Sequence, residues 1–583
     1  MEKLLVEASW EVGNKVGGIH TVLKEKADYI TKEYKNSYLV IGPYLEDKSY
    51  YEFSFLIPPS EFKEIISECN KYGFTAVYGE WLVGSRPKGF LIEFKNFLNN
   101  INSLKYELWA KYRIDSLRTG DDYNYPIAWS KAASLFLKIL EEHFQYTKKV
   151  LHLHEWLSGA IILFEDLPTY KKIFTTHATV LGRAIAGSGQ NIWDVLPMIN
   201  PDEEAYKYGV EAKHKIEKIV TNKVNYFTVV SNVLANEAQY VLGRKPDFIL
   251  PNGINLSKFP TLEDITYAHR KSKDTIKDFL LYFFTPYYSV DIKKSLLFFT
   301  SGRYEIKNKG IDIFIRALGE LNKKLTENDP TIFAFIFVPS NPIDVNQIIV
   351  SNLNIYRHLE EVIEDLGEEI KGRLINYLIH KEGVGAEDIL TKNEYAELRK
   401  IIKSVRTTEE YPISTHILPE DNEIIKIIKL VGLLNRPQDK VKVIYYPIYL
   451  KSGDGFLNLS YEDTIVGCHA GFFLSFYEPW GYTALESAAS GIITVTTDLT
   501  GFADYVSKIT NLNLENQGLY IVLRKGRRDA EVVEDVSNIM LKIARLSRAD
   551  RVQNRIEIRR IATYCSWDNL IKNYFDLYNV AFS

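Results

Sequence analysis

Short apolar runs alternate with longer amphipathic ones through the first third of the chain. LLVEA (4–8) reads as a strand, followed by a Gly-bearing turn and helical spacing from about Ile19 to Tyr34. SYLVIGP (37–43), VLHLHEW (150–156), KKIFTTH (171–177) and YFTVVS (226–231) read as further strands. Between them, IAWSKAASLFLKILEEHF (127–144) carries apolar residues at helical spacing. This alternation predicts a parallel α/β sheet. In such sheets ligands bind at the carboxyl ends of the strands. Strand after strand here ends in His, Thr, Glu or Ser at that point.

A turn-rich segment, LPNGINLSKFP (250–260), interrupts the pattern, with Asn252-Gly253 as a tight-turn signal. A second alternating block starts at KKSLLFFTSGR (293–303). It runs through TIFAFIFVP (331–339), VKVIYYP (441–447), AGFFLSF (470–476) and GIITVTTD (491–498). The fold class expected is α/β: two Rossmann-like domains facing a cleft, joined near residue 255. The second block contains a polar helical stretch, about 344–405, too long for a connecting loop. It reads as an insertion suited to pairing with another subunit, although a solvated helical arm has the same composition.

Length and charge narrow the class of protein. The chain has 583 residues, enough for at least two domains, with 46% hydrophobic and 25% charged residues, as in ordinary globular proteins. Its 71 Lys and Arg against 75 Asp and Glu leave a net charge of -4, so no basic field points to nucleic acid or an anionic membrane. Cys69, Cys468 and Cys565 are dispersed without zinc-type spacing, which argues for a reducing cytosol. No apolar run approaches the roughly 20 residues that span a bilayer. Residues 1–10 already read as a strand, with no leader before it. A cytoplasmic protein that binds neither membrane nor nucleic acid is expected. The 38 Tyr and 30 Phe against 3 Met and 3 Cys lean towards a heat-adapted source.

Three segments carry candidate chemistry. Lys15-Val16-Gly17-Gly18 follows the first strand and opens a helix. Paired glycines admit close backbone approach and a helix start favours an anion, although a Gly-Gly turn by itself is often only a turn. Ser301 to Gly310, SGRYEIKNKG, follows the first strand of the second block. The fork of Arg303 and the point charge of Lys309 suit two phosphates of a nucleotide; a solvated basic turn has the same residues. Tyr477 to Glu486, YEPWGYTALE, runs from a strand through a Pro-Gly turn into a helix. Glu478 in the turn and Glu486 two helical turns on can face one pocket, where a carboxylate is placed to meet a sugar ring. Two surface glutamates flanking a packed Trp would look alike.

Taken in order, EVGNKVGGIHTVL (11–23), LHEWLSGA (153–160), FTTHATVLGR (174–183), PNGIN (251–255), GRYEIKNKG (302–310) and FYEPWGYTALE (476–486) closely resemble glycosyltransferase family 3, the glycogen synthases of eukaryotic type. The resemblance covers essentially the whole chain. It implies the GT-B fold, with domains at 1–255 and 256–560 and a C-terminal helix (561–583) returning to the first. It also implies retaining transfer of glucose from UDP-glucose to the non-reducing-end 4-hydroxyl of an α-1,4-glucan, with no metal or other cofactor. By resemblance, Arg303 and Lys309 match the phosphate clamp and Arg183 a further basic residue near the phosphates. Glu478 matches the essential glutamate beside the donor glucose, and Glu486 an acid that contacts the ribose. His154 and His177 match the glucose side. Lys15, Gly17 and Gly18 match the loop that closes on the donor, and Tyr449 and Tyr461 the rings that stack on uracil. Trp480, Gly481, Tyr482 and Thr483 complete the expected donor site. Glu478 is expected to support a same-face displacement; a covalent sugar intermediate remains open on sequence alone.

The chain also departs from the family. It begins at its first strand and stops at Ser583, so the phosphorylated extensions are expected to be missing, as in a prokaryotic or archaeal member. In SRADRVQNRIEIRR (547–560), Ala549 and Glu557 stand where the family's sugar-phosphate-sensing helix has arginines. That stretch is expected to be a charged surface helix, with weak or absent activation by glucose 6-phosphate. The helical insertion is expected to support a homo-oligomer. Alternatives are an ADP-glucose donor, a different glycan acceptor, or a non-catalytic glucan binder. The full set Lys15, Arg183, Arg303, Lys309 and Glu478 favours an enzyme.

Overall fold

The computed structural model describes residues 3–144, 148–380, 385, 389–510 and 514–583. Nine strands form the first sheet: β1 (Lys3–Ala8), β2 (Tyr38–Pro43), β3 (Phe53–Phe55), β4 (Ala76–Trp81), β5 (Lys88–Ile92), β6 (Lys148–His154), β7 (Tyr170–Thr176), β8 (Tyr226–Val229) and β9 (Phe248–Ile249). Their order is β3-β4-β5-β2-β1-β6-β7-β8-β9. Neighbours from β5 to β9 are parallel. β3, β4 and β5 pair antiparallel at one edge, a departure from the expected parallel sheet. Such an edge needs only short connections, β3 has three residues, and Gly79 and Gly89 interrupt β4 and β5, so no long apolar run marks them.

The second sheet comes from β10 (Ser295–Ser301), β11 (Thr331–Phe337), β14 (Val441–Tyr446), β15 (Ala470–Phe472), β16 (Ile493–Thr497) and β17 (Leu519–Val522), with β12 (Asp344–Val345) and β13 (His416–Ile417) in a small separate ribbon. Its order is β14-β11-β10-β15-β16-β17, parallel throughout. Parallel sheets are covered on both faces, which is why β10 and β11 read as unbroken apolar runs and why Leu297, Phe298, Phe299 and Phe333 to Ile336 are buried. The ribbon stands at the base of the predicted insertion, which carries helices Gln347–Asp365, Gly367–His380 and Lys392–Ile402. Part of that insertion, 381–384 and 386–388, lies outside the described residues.

The chain crosses between the sheets twice, side by side. Ile254 and Ser566 form an isolated parallel bridge. Ile254 N–H donates to the Cys565 carbonyl (2.9 Å), and Trp567 N–H to the Ile254 carbonyl (3.2 Å). The second crossing starts helix Trp567–Phe582, whose Trp567, Tyr574 and Tyr578 are buried in one core with Leu5, Val40 and Val150 of the first sheet. Burying each such aromatic contributes roughly 1.5–3 kcal/mol. Among the described residues, no helix is long and apolar enough to cross a membrane.

Two local expectations need correction. The run VLHLHEW ends as a strand at His154, because Glu155 takes a left-handed backbone (φ 63°) and starts helix Glu155–Gly159. Residues 548–563 form a helix, but not a surface one: Asn554, Arg555, Ile558, Arg559, Ile561 and Ala562 are buried. Its apolar stripe lies on β16 and on helix Tyr482–Ala489.

Candidate active site

The carboxyl ends of β1, β6 and β7 bring Glu7, His154 and His177 together. Glu7 Oε1 accepts from His154 Nε2 at 2.7 Å, and His154 Nδ1 lies 3.1 Å from His177 Nε2. Glu7 also accepts from Lys26 Nζ and from the Tyr38 hydroxyl (2.6 Å). Burial alone would raise the Glu7 pKa; Lys26 and His154 more than offset this and hold it well below the usual carboxylate range. Glu7, His152 and His154 also have ligand atoms within 4.8 Å of one another. This is a poor metal centre, since the ammonium of Lys26 is bound to the same carboxylate. His152 is likewise engaged, by Tyr578 (2.9 Å) and Thr175 (2.7 Å).

Arg183 is an exposed residue ringed by protein charges. Partial loss of water to the surrounding protein works against its charge, but Glu155, and beyond it Tyr477, Glu305 and Glu217, outweigh this and raise its pKa. Glu155 and Glu217 belong to the first half of the chain, Tyr477 and Glu305 to the second, so Arg183 stands at their junction. The strained Glu155 backbone aims its carboxylate at the N–H groups of His177 (3.0 Å) and Ala178 (3.2 Å). Burial raises its pKa, although Arg183 and those two N–H groups pull the other way. Burial likewise raises Glu237 to about 7; it accepts from the hydroxyls of Thr179 and Tyr477.

On the second sheet, β10 leads into the loop that carries Arg303 and Lys309. Gly310 ends this loop at φ 65°, where a Cβ would lie 2.1 Å from the Leu474 carbonyl oxygen, so only glycine fits. Lys309 Nζ bonds Glu478 Oε2 at 2.5 Å, and both side chains are largely buried. Arg303 is 65% exposed and pairs with Glu305 at 2.9 Å, the same Glu305 that acts on Arg183. Arg183 and Arg303 thus share Glu305, and Lys309, on the loop of Arg303, pairs with Glu478 next to Tyr477, which also acts on Arg183. Trp193 Nε1 donating to the Phe476 carbonyl (3.0 Å) and Asn232 donating to Asp504 (3.0 Å) tie its walls together.

Other predicted residues take different places. Gly17 and Gly18 are exposed, as is Lys15. The anion at this helix start is internal: Glu11 accepts from Gly17 N–H (2.8 Å) and His20 N–H (2.9 Å). Tyr461 is half-buried, its hydroxyl 2.9 Å from Ser301 Oγ. Tyr449 is 70% exposed and stands apart from these contacts. Trp480 is a core residue, 3% exposed and packed on Tyr505. Tyr482 donates to the Gly253 carbonyl at the crossing (3.1 Å). Gly481 (φ 103°) precedes the helix that carries Thr483 and Glu486. Burial, helped by Glu462 and Glu25, raises Glu486 to about 8; Lys258 opposes it. Glu486 also acts on Tyr461, whereas the hydrogen-bonded partner of Glu478 is Lys309.

Glu7, Glu155, Glu217 and Glu237 were not foreseen as site residues. An acid inside an apolar strand such as LLVEA is the one signal that marks Glu7. A further cluster lies apart, under helix Arg548–Thr563. Arg555 is 7% exposed, its Nε lacks a partner, and burial followed by Arg551 lowers its pKa to about 10. His269 and His469 stand edge to face at 5.0 Å, both held well below their usual pKa by burial, with His269, Arg555, Lys273 and Arg551 adding to it.

Two α/β halves with strand ends, cations and carboxylates turned to one junction define a glycosyltransferase of GT-B fold. The catalytic domain of Starch Synthase IV from Arabidopsis thaliana shares this fold, with a TM-score of 0.52 at 13% identity over 100% of this chain and 99% of that one. A family model described as Glycogen synthase matches residues 7–583. The chain is 32% identical to the glycogen [starch] synthase of Neurospora crassa, over 98% of this chain and 82% of the relative. It is 31% identical to that of Caenorhabditis elegans, over 99% and 88%. With the Dictyostelium discoideum enzyme it shares 34% identity, over 98% of this chain and 66% of the relative's length. The chain belongs to the glycogen synthase family. As a glycosyltransferase of this type it uses a nucleotide-sugar donor and a glucan acceptor.

Proposed function

We propose that the donor is UDP-glucose and that glucose passes, with retention, to the 4-hydroxyl at the non-reducing end of an α-1,4-glucan, without a metal. The observation that carries this reading is that one loop, Gly302 to Gly310, brings Arg303 to Glu305, which also acts on Arg183, and Lys309 to Glu478. Three cations suit a diphosphate whose charge grows as the glycosidic bond breaks, and preorganised charges stabilise that state most. In this reading Arg303 and Lys309 hold the phosphates once Arg303 turns from Glu305, and Arg183 adds charge from the first half. Glu478 holds Lys309 in place and borders the donor glucose. His177 lines the opposite side of the sugar with His154 behind it, and Lys15, Gly17 and Gly18 cover the donor. Tyr461 and Glu486 serve the nucleoside end, with Gly481 and Thr483 at the start of the helix between. Tyr449 reaches the base only on closure, which also excludes the water that would hydrolyse the donor. The leaving phosphate takes the acceptor proton in a same-face displacement.

The domain division we propose is 1–255, 256–560 and the returning helix 561–583. Exposed Ile375, Leu378 and Ile379 of the inserted helices support assembly into a homo-oligomer through that arm. A cytoplasmic setting fits the absence of paired cysteines among the described residues, all three being free and buried. The deciding experiment measures glucose incorporation into glycogen from UDP-glucose and ADP-glucose side by side. Faster transfer from UDP-glucose is expected. Equal or faster transfer from ADP-glucose would refute the donor assignment.

A further inference from the structure

Beneath the strand ends of the first sheet, one buried polar chain has its hydrogen-bond directions set from the inner end. Glu7 and Lys26 are 0% exposed, His154 1% and His177 8%, so only the last member has surface left for a ligand. Glu7 is ionised against Lys26, and a carboxylate only accepts. His154 Nε2, 2.7 Å from Glu7 Oε1, therefore carries the hydrogen. A neutral imidazole has one N–H, so His154 Nδ1 is a lone pair. It faces His177 Nε2 at 3.1 Å, which must then be the donor. His177 Nδ1 is left as an acceptor. Burial lowers both pKa values, with Lys26 adding to it at His154 and His154, Lys26 and Arg183 at His177, against the pull of Glu7, which favours neutral rings.

We infer that Glu7 and Lys26 are positioning residues for the transfer reaction: they fix the tautomer of His177 through His154, so that the cleft meets an imidazole lone pair able to accept from a hydroxyl of the transferred sugar. This rests on the reading that His177 borders the donor glucose. The groups that face Glu7 are Lys26 from helix Gly18–Tyr34, Tyr38 from β2, His152 and His154 from β6, and Tyr574 and Tyr578 from the C-terminal helix. All are buried, and Lys26 lies over the Tyr574 ring at 4.4 Å. Among the described residues, the exposed group that acts on this chain is Arg183 at the His177 end, a cation that keeps its protons. The design also explains a polar patch under the returning helix: Tyr578 holds His152, whose ring centroid is 4.2 Å from that of His154.

The test uses two double variants of the full chain. Glu7→Met with Lys26→Met removes both charges and keeps the volume, an exchange that buried ion pairs tolerate. Glu7→Gln with Lys26→Met keeps an oxygen for His154 without a charge. The Met pair is expected to lose about tenfold or more in kcat/KM for the nucleotide sugar, with inhibition by the free nucleoside diphosphate unchanged. The Gln pair is expected to recover most of the loss at a similar Tm. Wild-type activity in the Met pair, or equal loss in both pairs, would overturn the proposal. His177→Ala separates the two layers. Its full activity would remove the reading of His177 at the sugar, whereas its loss beside an active Met pair would remove only the relay. Ring nitrogen-15 spectra of wild-type chain give a check that needs no variant. His154 protonated at Nδ1 would sink the inference, and His177 protonated at Nε2 would support it.

Discussion

The Tyr482 hydroxyl donates to the carbonyl oxygen of Gly253 at 3.1 Å, fastening the helix that carries Glu486 to the place where the chain crosses between its sheets. Glu25 strengthens the same joint, accepting from Asn255 N–H (3.0 Å), Trp567 Nε1 (3.1 Å) and Lys258. The helix that carries Glu486 and the crossing are therefore fastened to one another.

Gly253 is the tightest point of that joint. A Cβ there would lie 2.3 Å from the ring of Trp567, itself fully buried and hydrogen-bonded. Gly253→Ala is expected to destabilise the fold by ~2 kcal/mol or more through overpacking. Urea unfolding checks this. An unchanged midpoint would mean that Trp567 can shift at no cost.

Lys309 and Glu478 form a largely buried pair, 17% and 20% exposed, and Gln in place of Glu478 keeps an oxygen that accepts from Lys309. In the proposed reading their worth is in transfer. Glu478→Gln is expected to lose at least ~100-fold in kcat, the scale of one preorganised electrostatic contact, while the Tm stays within a few degrees. Steady-state incorporation assays beside thermal melts check it. Near-normal turnover would show that Glu478 has another task.

The two-sheet architecture was legible because strands buried on both faces are written as apolar runs. β10 and β11 announce themselves as SLLFFTS and TIFAFIF. The antiparallel edge was not, since β3 has three residues and β4 alternates partly exposed positions. Cations at strand ends could be read off, because their neighbours in sequence set where they stand. Trp480 could not: an aromatic in a turn motif looks the same whether it stacks on a ligand or fills the core. Glu7 was missed for a related reason. Its partners Lys26, Tyr38 and His154 are 19, 31 and 147 residues away, and only the register of β1 with β2 and β6 brings them together.

Glu486 makes stability depend on pH in a stated direction. Its folded pKa is about 8, raised by burial from 4.5. Below the unfolded pKa both states hold the proton and no penalty exists. As pH rises from about 4.5 towards 8 the unfolded chain releases the proton and the folded one keeps it, so stability falls across that window. Glu486→Gln removes the penalty. The variant should gain ~1–3 kcal/mol over wild type at pH 8 and about nothing at pH 4.5. Denaturant titrations at both pH values check this. A gain of equal size at both would point to packing instead of protonation.

Arg555 is a buried cation away from the proposed transfer centre. Its guanidinium is buried with Nε unpaired, and the groups acting on it and on the nearby imidazoles are cations: Arg551 and Lys273. An unpaired buried charge is costly unless something negative joins it. Phosphate and glucose 6-phosphate are therefore expected to raise the Tm of the wild-type chain, by ~1.4 kcal/mol of added stability at ten times their Kd. Arg555→Gln should raise the ligand-free Tm, because it removes the buried charge, and should abolish the shift. Activation of transfer by the same ligand is expected to stay small, because Ala549 and Glu557 on that helix supply no further positive charge. Thermal melts with and without ligand, beside rate measurements, separate binding from activation. A ligand shift that survives in Arg555→Gln would place the anion elsewhere, and a many-fold rise in rate would show that two arginines fewer are enough for control.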